Sequence, residues 1–173
     1  MATWAEFAAG PAEVSEQVTA DAPGSWAPFR DGGAALAAAG ERLLFDTIPV
    51  ALLGTVTASG RPRIHPFVPK VVDGRLWAFV VAYSPKRRDL DDRRRYTIHA
   101  NLAEEDEEFW VSGEARREDD ASHRASVAAA MPYTVHDWEM LFEFDLELVG
   151  WTRWLDWGTP MHRPVHHRWR ASR

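Results

Sequence analysis

Val50-Ala51-Leu52-Leu53-Gly54-Thr55-Val56 opens the stretch that decides the fold, and Ser84-Pro85-Lys86-Arg87-Arg88-Asp89-Leu90 closes it. The opening run is short, apolar and bounded by turn residues, the pattern of a buried strand. Ala58-Ser59-Gly60-Arg61 follows, with a glycine that can supply positive φ to a turn. Asp73-Gly74 is the signal of a two-residue hairpin. Three strands are predicted, over about 50–57, 62–71 and 75–83. After the third, the apolar chain stops at Ser84 and a cluster of cations. A sheet that delivers a hydroxyl and several cations to one place points to a phosphate.

Working outward, a short helical turn is predicted at 86–92, a fourth strand at 95–100 and a fifth at 108–118. A helix at 121–131 enters at Asp119-Asp120 and stops at Pro132. The sixth strand spans 139–152, where apolar residues mostly alternate, and a last short one runs through Val165 to Trp169. Upstream, Gly33 to Thr47 is the best helix, alanine-rich and stopped by Pro49. A short helix is expected over residues 2–9, and 11–31, broken by Pro23-Gly24 and Pro28, read as a wrapping arm or loop. The fold class is mainly β (α+β), a closed antiparallel barrel of six to seven strands with peripheral helices. The strands come in succession, without β-α-β alternation, and no Gly-x-Gly-x-x-Gly turn or Walker loop is present, which argues against a doubly wound sheet.

The chain has 173 residues, enough for one domain with a full core. It has no cysteine, which excludes disulfides, thiolate nucleophiles and cysteine zinc sites. There is no long apolar run for a membrane helix, and the acid Glu6 precedes the first basic residue, Arg30. A cytoplasmic protein is the expectation. The net charge of −6 argues against nucleic acid as a partner. The charge is uneven: residues 104–120 hold nine acids, whereas 159–173 hold Arg163, Arg168, Arg170 and Arg173 with no acid. Local positive patches in an acidic protein suit a small anionic ligand.

Three motifs carry a resemblance. Leu53-Gly54-Thr55-Val56-Thr57-Ala58-Ser59-Gly60-Arg61-Pro62-Arg63-Ile64-His65-Pro66 resembles the first hairpin of the pyridoxamine 5′-phosphate oxidase-like, FMN-binding split barrels. Ser84-Pro85-Lys86-Arg87-Arg88-Asp89-Leu90 resembles that family's phosphate turn, and Glu108 to Ala115 its later core strand. The resemblance covers roughly 40–150. It implies a homodimer with FMN in two clefts between subunits, and hydride transfer between the flavin and a small-molecule substrate. It divides the chain into an N-terminal helix and arm (1–32), an FMN-binding split-barrel domain (33–153) and a tail (154–173) that completes the cleft or the dimer contact.

By the same resemblance, Arg63, Ile64, His65 and Pro66 lie beside the flavin ring, and Phe79 and Val80 flank the cofactor. Ser84 and Lys86 meet the phosphate, with Arg87 as a further cation. The oxidase has a cation where Pro85 stands, so Arg87 is the substitute. Trp157 and Arg163 match a tail Trp and Arg that complete the oxidase pocket. Val165 stands where the oxidase's tail has its next His, so pyridoxamine phosphate itself is not indicated as the substrate.

The bland readings of the same residues stand beside these. Arg93, Arg94 and Arg95 read as solvated surface, and His65 as a flavin-side residue or an ordinary barrel histidine. The tail tryptophans form a lid or pack on the partner subunit. His162, His166 and His167 suggest no metal, because Pro164 interrupts any helix there. On the same fold, a deazaflavin-dependent reductase and a non-catalytic flavin- or haem-binding barrel, with His65 or His99 as iron ligand, are the alternatives.

Overall fold

The computed structural model describes residues 13–20, 25–47, 49–100, 107–156 and 158–171, with 13–20 and 47 as backbone only. The helix expected over 2–9 and Trp157 lie outside the described residues. The strands are β1 (Glu13–Ala20), β2 (Ala51–Val56), β3 (Pro62–Phe67), β4 (Pro69–Val72), β5 (Arg75–Val81), β6 (Arg95–His99), β7 (Glu107–Glu118), β8 (Glu139–Leu155) and β9 (Arg163–Ala171). The helices are α1 (Trp26–Gly32), α2 (Ala34–Glu41), α3 (Pro85–Arg93) and α4 (Ala121–Ala130). A π-helical segment, Arg42–Thr47, extends α2.

The strand expected over 62–71 is a bent one. Its first half, β3, pairs with β2, and its second half, β4, pairs with β5. Only Val68 separates them. The bend closes a ring in the order β2, β3/β4, β5, β8, β7, β6 and back to β2. Strand β8 has 17 residues, long enough to serve two partners on one edge. Its first part pairs with β5 (Val81↔Glu139 to Trp77↔Glu143), and its second with β9 (Leu148↔Arg170 to Leu155↔Arg163). Where that edge passes from β5 to β9, the barrel splits.

Two expectations change. The arm contains strand β1, which runs parallel to β9 from Glu13↔Val165 to Ala20↔Ala171, so the sheet is not wholly antiparallel. Its residues, Glu-Val-Ser-Glu-Gln-Val-Thr-Ala, show little apolar alternation; the open edge of β9 supplies the order. The arm also contains α1, whose Trp26 and Phe29 are fully buried. The Phe29 ring meets Trp169 of β9 edge-on at 5.2 Å. Each such ring buries on the order of 200 Å², worth about 5 kcal/mol of transfer free energy.

The turns follow their sequence signals. Asp73 (φ 50°) and Gly74 (φ 72°) both take positive φ, as a two-residue hairpin requires. The Gly74 carbonyl accepts from Ala27 N at 2.9 Å, which docks the hairpin tip on α1. Along β5 the side chains alternate between two cores. Leu76, Ala78 and Val80 enter the barrel, while Trp77 and Phe79 pack with Leu141 beneath Val127 and Met131 at α4. Buried Glu107 is clasped by Arg42 of the π-helical segment and by Arg153 of β8, tying that segment to the sheet. Among the described residues, no helix is long and apolar enough to cross a membrane.

Candidate functional site

Helix α3 begins where β5 ends, and its start is written in the sequence. Ser84 is the N-cap, its Oγ accepting from Arg87 N at 3.4 Å, and Pro85 occupies the first turn. Pro85 therefore serves as a helix starter, with φ already suited to the first turn.

Buried Asp89 pins the helix to the barrel. Thr55 Oγ1 of β2 donates to its Oδ2 at 2.9 Å, and the Arg63 guanidinium of β3 lies 3.3 Å away. At the other end of the same turn, Lys86 Nζ donates to the Pro66 carbonyl at 2.9 Å. Arg63 thus reaches from β3 to α3 and Lys86 from α3 back to β3, the two contacts flanking His65 on the strand.

Strand β3 pairs only with β2, so its other edge carries no strand among the described residues. Arg63, Ile64 and Pro66 are exposed, Ile64 at 72%. His65 pairs across to Leu53, a core residue, so its ring points under the sheet. Its Nε2 is buried with no hydrogen-bond partner. A buried, unmatched polar atom is costly and uncommon, and the indole nitrogens of Trp151 and Trp169 share this condition.

Burial first, and then the charges of Lys86 and Arg63, hold the His65 pKa below its ordinary value of 6.5, against the opposing pull of Asp89. The imidazole is neutral at pH 7. The sign of the stability effect follows: the unfolded chain takes up this proton first, so the His65 contribution is complete above pH 6.5 and is lost as pH falls toward the folded-state pKa. An NMR titration of the ring is expected to give a midpoint below 6.5, and His65→Gln is expected to flatten the acid side of the stability profile. A midpoint at or above 6.5 contradicts this environment.

No protein-family model and no curated protein sequence matches the chain. Solved structures do. The chain is similar to a haem-binding protein from Mycobacterium smegmatis, with a TM-score of 0.54 and 21% identity over 72% of this chain and 55% of that one. It therefore spans little more than half of that protein. It is similar to a protein related to general stress protein 26, of the pyridoxine phosphate oxidase family, from Clostridium acetobutylicum (TM-score 0.56, 14% identity, 76% and 92% covered). It is also similar to a NimC/NimA family protein from the same organism (TM-score 0.52, 16% identity, 74% and 97% covered). The fold is the pyridoxamine 5′-phosphate oxidase-like split barrel. Identities this low speak for the architecture alone.

Within the split barrel, the expected site residues fall into four groups. Ser84, Lys86, Arg63, Ile64, His65 and Pro66 come together around the open edge of β3 and the start of α3. Arg87 is nearby but engaged: its Nε donates to the Ala82 carbonyl at 2.8 Å, and its NH1 meets Asp91 at 2.6 Å. Phe79 and Val80 are buried in the two cores and present no open surface. Arg163 lies in the tail, 3.7 Å from Asp156.

Of the tail histidines, His166 pairs with Thr152 Oγ1 at 3.0 Å and His167 stacks on Trp151. Among the described residues there is no cluster of three or more metal-ligating side chains.

Two contributors escape the sequence reading. Asp89 looks like one of several acids balancing a basic run, yet it is the buried anchor of α3. The loop before β8 is held rigidly by Arg124, which donates to the Glu139 and His136 carbonyls, while Trp138 O accepts from Ala82 N at 2.8 Å. That loop places Trp138, half exposed and stacked on His136, next to the turn that leads from β5 to Ser84. No local signal marks it, because the pairing is between segments far apart in the chain.

Proposed function

We propose that the chain binds FMN along the open edge of β3 and acts as an oxidoreductase on a small molecule. The observation that carries this reading is the unpartnered, buried Nε2 of His65 beside Lys86 at an unpaired strand edge. The donor set suits the cofactor. Lys86 Nζ has hydrogens left after its bond to Pro66, and with the Ser84 hydroxyl and the first amides of α3 it suits a phosphomonoester. The β3 edge offers backbone groups and the apolar surface of Ile64 to a planar ring.

Bound FMN supplies the hydride chemistry. The protein's part is to hold and orient. Asp89 fixes Arg63 and α3 in one frame, so ring and phosphate subsites keep their separation. Neutral His65 offers one nitrogen as a hydrogen-bond partner without adding charge beside Lys86. A homodimer would cover exposed Ile64 and Pro66 and close the cleft from the far side. The cytoplasm is the proposed compartment.

A haem-binding barrel is the second reading. It is favoured by the same free Nε2, the atom an axial histidine uses, and by the likeness to the mycobacterial haem-binding protein. His99 is a second candidate: its Nδ1 meets the Ala100 carbonyl, an arrangement that leaves Nε2 as the metal-binding nitrogen. A deazaflavin cofactor would use the same phosphate cluster as FMN.

The absorption spectrum of the purified protein, before and after adding FMN, tests the proposal. A flavin band that survives gel filtration is expected. A Soret band would replace FMN with haem, and failure to retain added FMN would overturn the FMN reading.

A further inference from the structure

The register of β3 decides which of its backbone groups face β2 and which face outward. The pairs run from Ala51↔Phe67 to Val56↔Pro62. The turn beyond them is closed by Thr57 N, which donates to the Arg61 carbonyl at 2.9 Å. Directly opposed pairs in an antiparallel ladder alternate between hydrogen-bonded and non-bonded. Counting back from Thr57 and Arg61, the bonded pairs are Thr55↔Arg63, Leu53↔His65 and Ala51↔Phe67. The backbone nitrogens and carbonyls of Pro62, Ile64 and Pro66 therefore point to the open edge. The contact from α3 agrees with this parity, because Lys86 Nζ reaches the Pro66 carbonyl from that side.

Two of these three residues are prolines and have no N–H to give. The Pro66 carbonyl is occupied by Lys86. Ile64 is left as the single backbone donor on the open edge of β3, with its own carbonyl as the nearest acceptor. An added peptide strand needs a donor at every second residue, so Pro62 and Pro66 close this edge to strand pairing. A compact ligand with a short polar edge has no such need. Ile64 is 72% exposed, and its partner across the ladder is Gly54, so no side chain of β2 stands opposite it.

We propose that Ile64 alone reads the ring of the bound cofactor through its main chain: its N–H donates to a ring carbonyl, and its C=O accepts from the ring N–H beside that carbonyl. This rests on the FMN reading above. The pyrimidine portion of the flavin carries a carbonyl and an N–H side by side, whereas haem has no such edge and could not be held in this way. Recognition of the ring then hangs on one main-chain donor, and the side chain at 64 matters less than its N–H.

Ile64→Pro removes this N–H and leaves the pairing with β2 intact, as Pro62 and Pro66 already do. In titration calorimetry it is expected to weaken FMN binding about five- to tenfold, the value of one hydrogen bond. Ile64→Ala removes the side chain but keeps the N–H, and is expected to cost distinctly less. The melting temperature reports whether the proline variant is folded. The unaltered protein gives the same test from the ligand side. The 3-methyl derivative of FMN, whose ring N–H is replaced by N–CH₃, is expected to bind about fivefold or more weakly than FMN. Undiminished affinity in a folded Ile64→Pro variant, an equal loss in Ile64→Ala, or equal binding of FMN and its 3-methyl derivative would each overturn the proposal and leave the FMN reading standing. Absence of FMN binding to the unaltered protein would overturn both.

Discussion

Replacing Lys86 with alanine is expected to weaken FMN binding by about 30-fold, and the Lys86→Ala, Arg87→Ala double variant by about 100-fold, because a charge-assisted hydrogen bond contributes about 1.5–3 kcal/mol. The asymmetry between the two residues is the point. Lys86 spends one hydrogen on the Pro66 carbonyl and keeps others for a ligand. Arg87 is committed to Ala82 and Asp91, so its loss alone should act mainly on the start of α3 and only a fewfold on affinity. Titration calorimetry with FMN separates these effects from unfolding, which the melting temperature reports.

A pH arm sharpens the test. Burial lowers the Lys86 pKa from 10.5, against the pull of Glu139, so the unliganded ammonium loses its proton earlier than an ordinary lysine. FMN affinity should therefore fall as pH rises, beginning below 10.5, and Lys86→Ala should abolish that slope. An unchanged Kd in Lys86→Ala would remove this residue from the phosphate site.

Gly113→Ala is expected to destabilise the protein by about 3 kcal/mol or more, lowering the melting temperature by roughly 6–12 °C. Gly113 of β7 faces a bulge in β8, where Glu147 is the extra residue and the register shifts. A Cβ there would lie 1.9 Å from the Asp145 carbonyl oxygen and 3.1 Å from Glu147 N. These are backbone atoms of the central strand, and no rotamer change can move them aside. Gly60→Ala is the control. Gly60 has open space around it but a φ of +83°, so the cost there is conformational only, about 1 kcal/mol. Calorimetric unfolding should rank Gly113→Ala well below Gly60→Ala; the reverse order would contradict the packing at the bulge.

The barrel was legible because its signals are local. The Val50–Val56 run, the turn at Gly60 and the Asp73-Gly74 hairpin each specify their own geometry within a few residues. Ser84 and Pro85 announce a helix start by the same local chemistry. The candidate site was legible in part. The sequence shows a hydroxyl and cations after a strand, but six cations between 86 and 95 look alike in one dimension. Phe79 and Val80 also looked alike, since a strand with apolar residues at successive positions does not say which face is covered. In the fold, α4 covers one face and the barrel interior takes the other.

By itself, then, the sequence determined the succession of strands, the tight turns, the helix that follows Ser84 and the place where cations gather. These depend on φ preferences, alternation and capping, which act over a few residues. The tertiary structure alone decided that 13–20 is a strand, because β9 offers it an unpaired edge. It alone decided that 62–72 is one bent strand closing the ring, and that Asp89 is an anchor. It also decided that Lys86 is left with hydrogens to donate while Arg87 is engaged, and that His65 keeps one buried nitrogen unmatched. Burial and partner choice are properties of residues far apart in the chain, and they exist only once the barrel has closed.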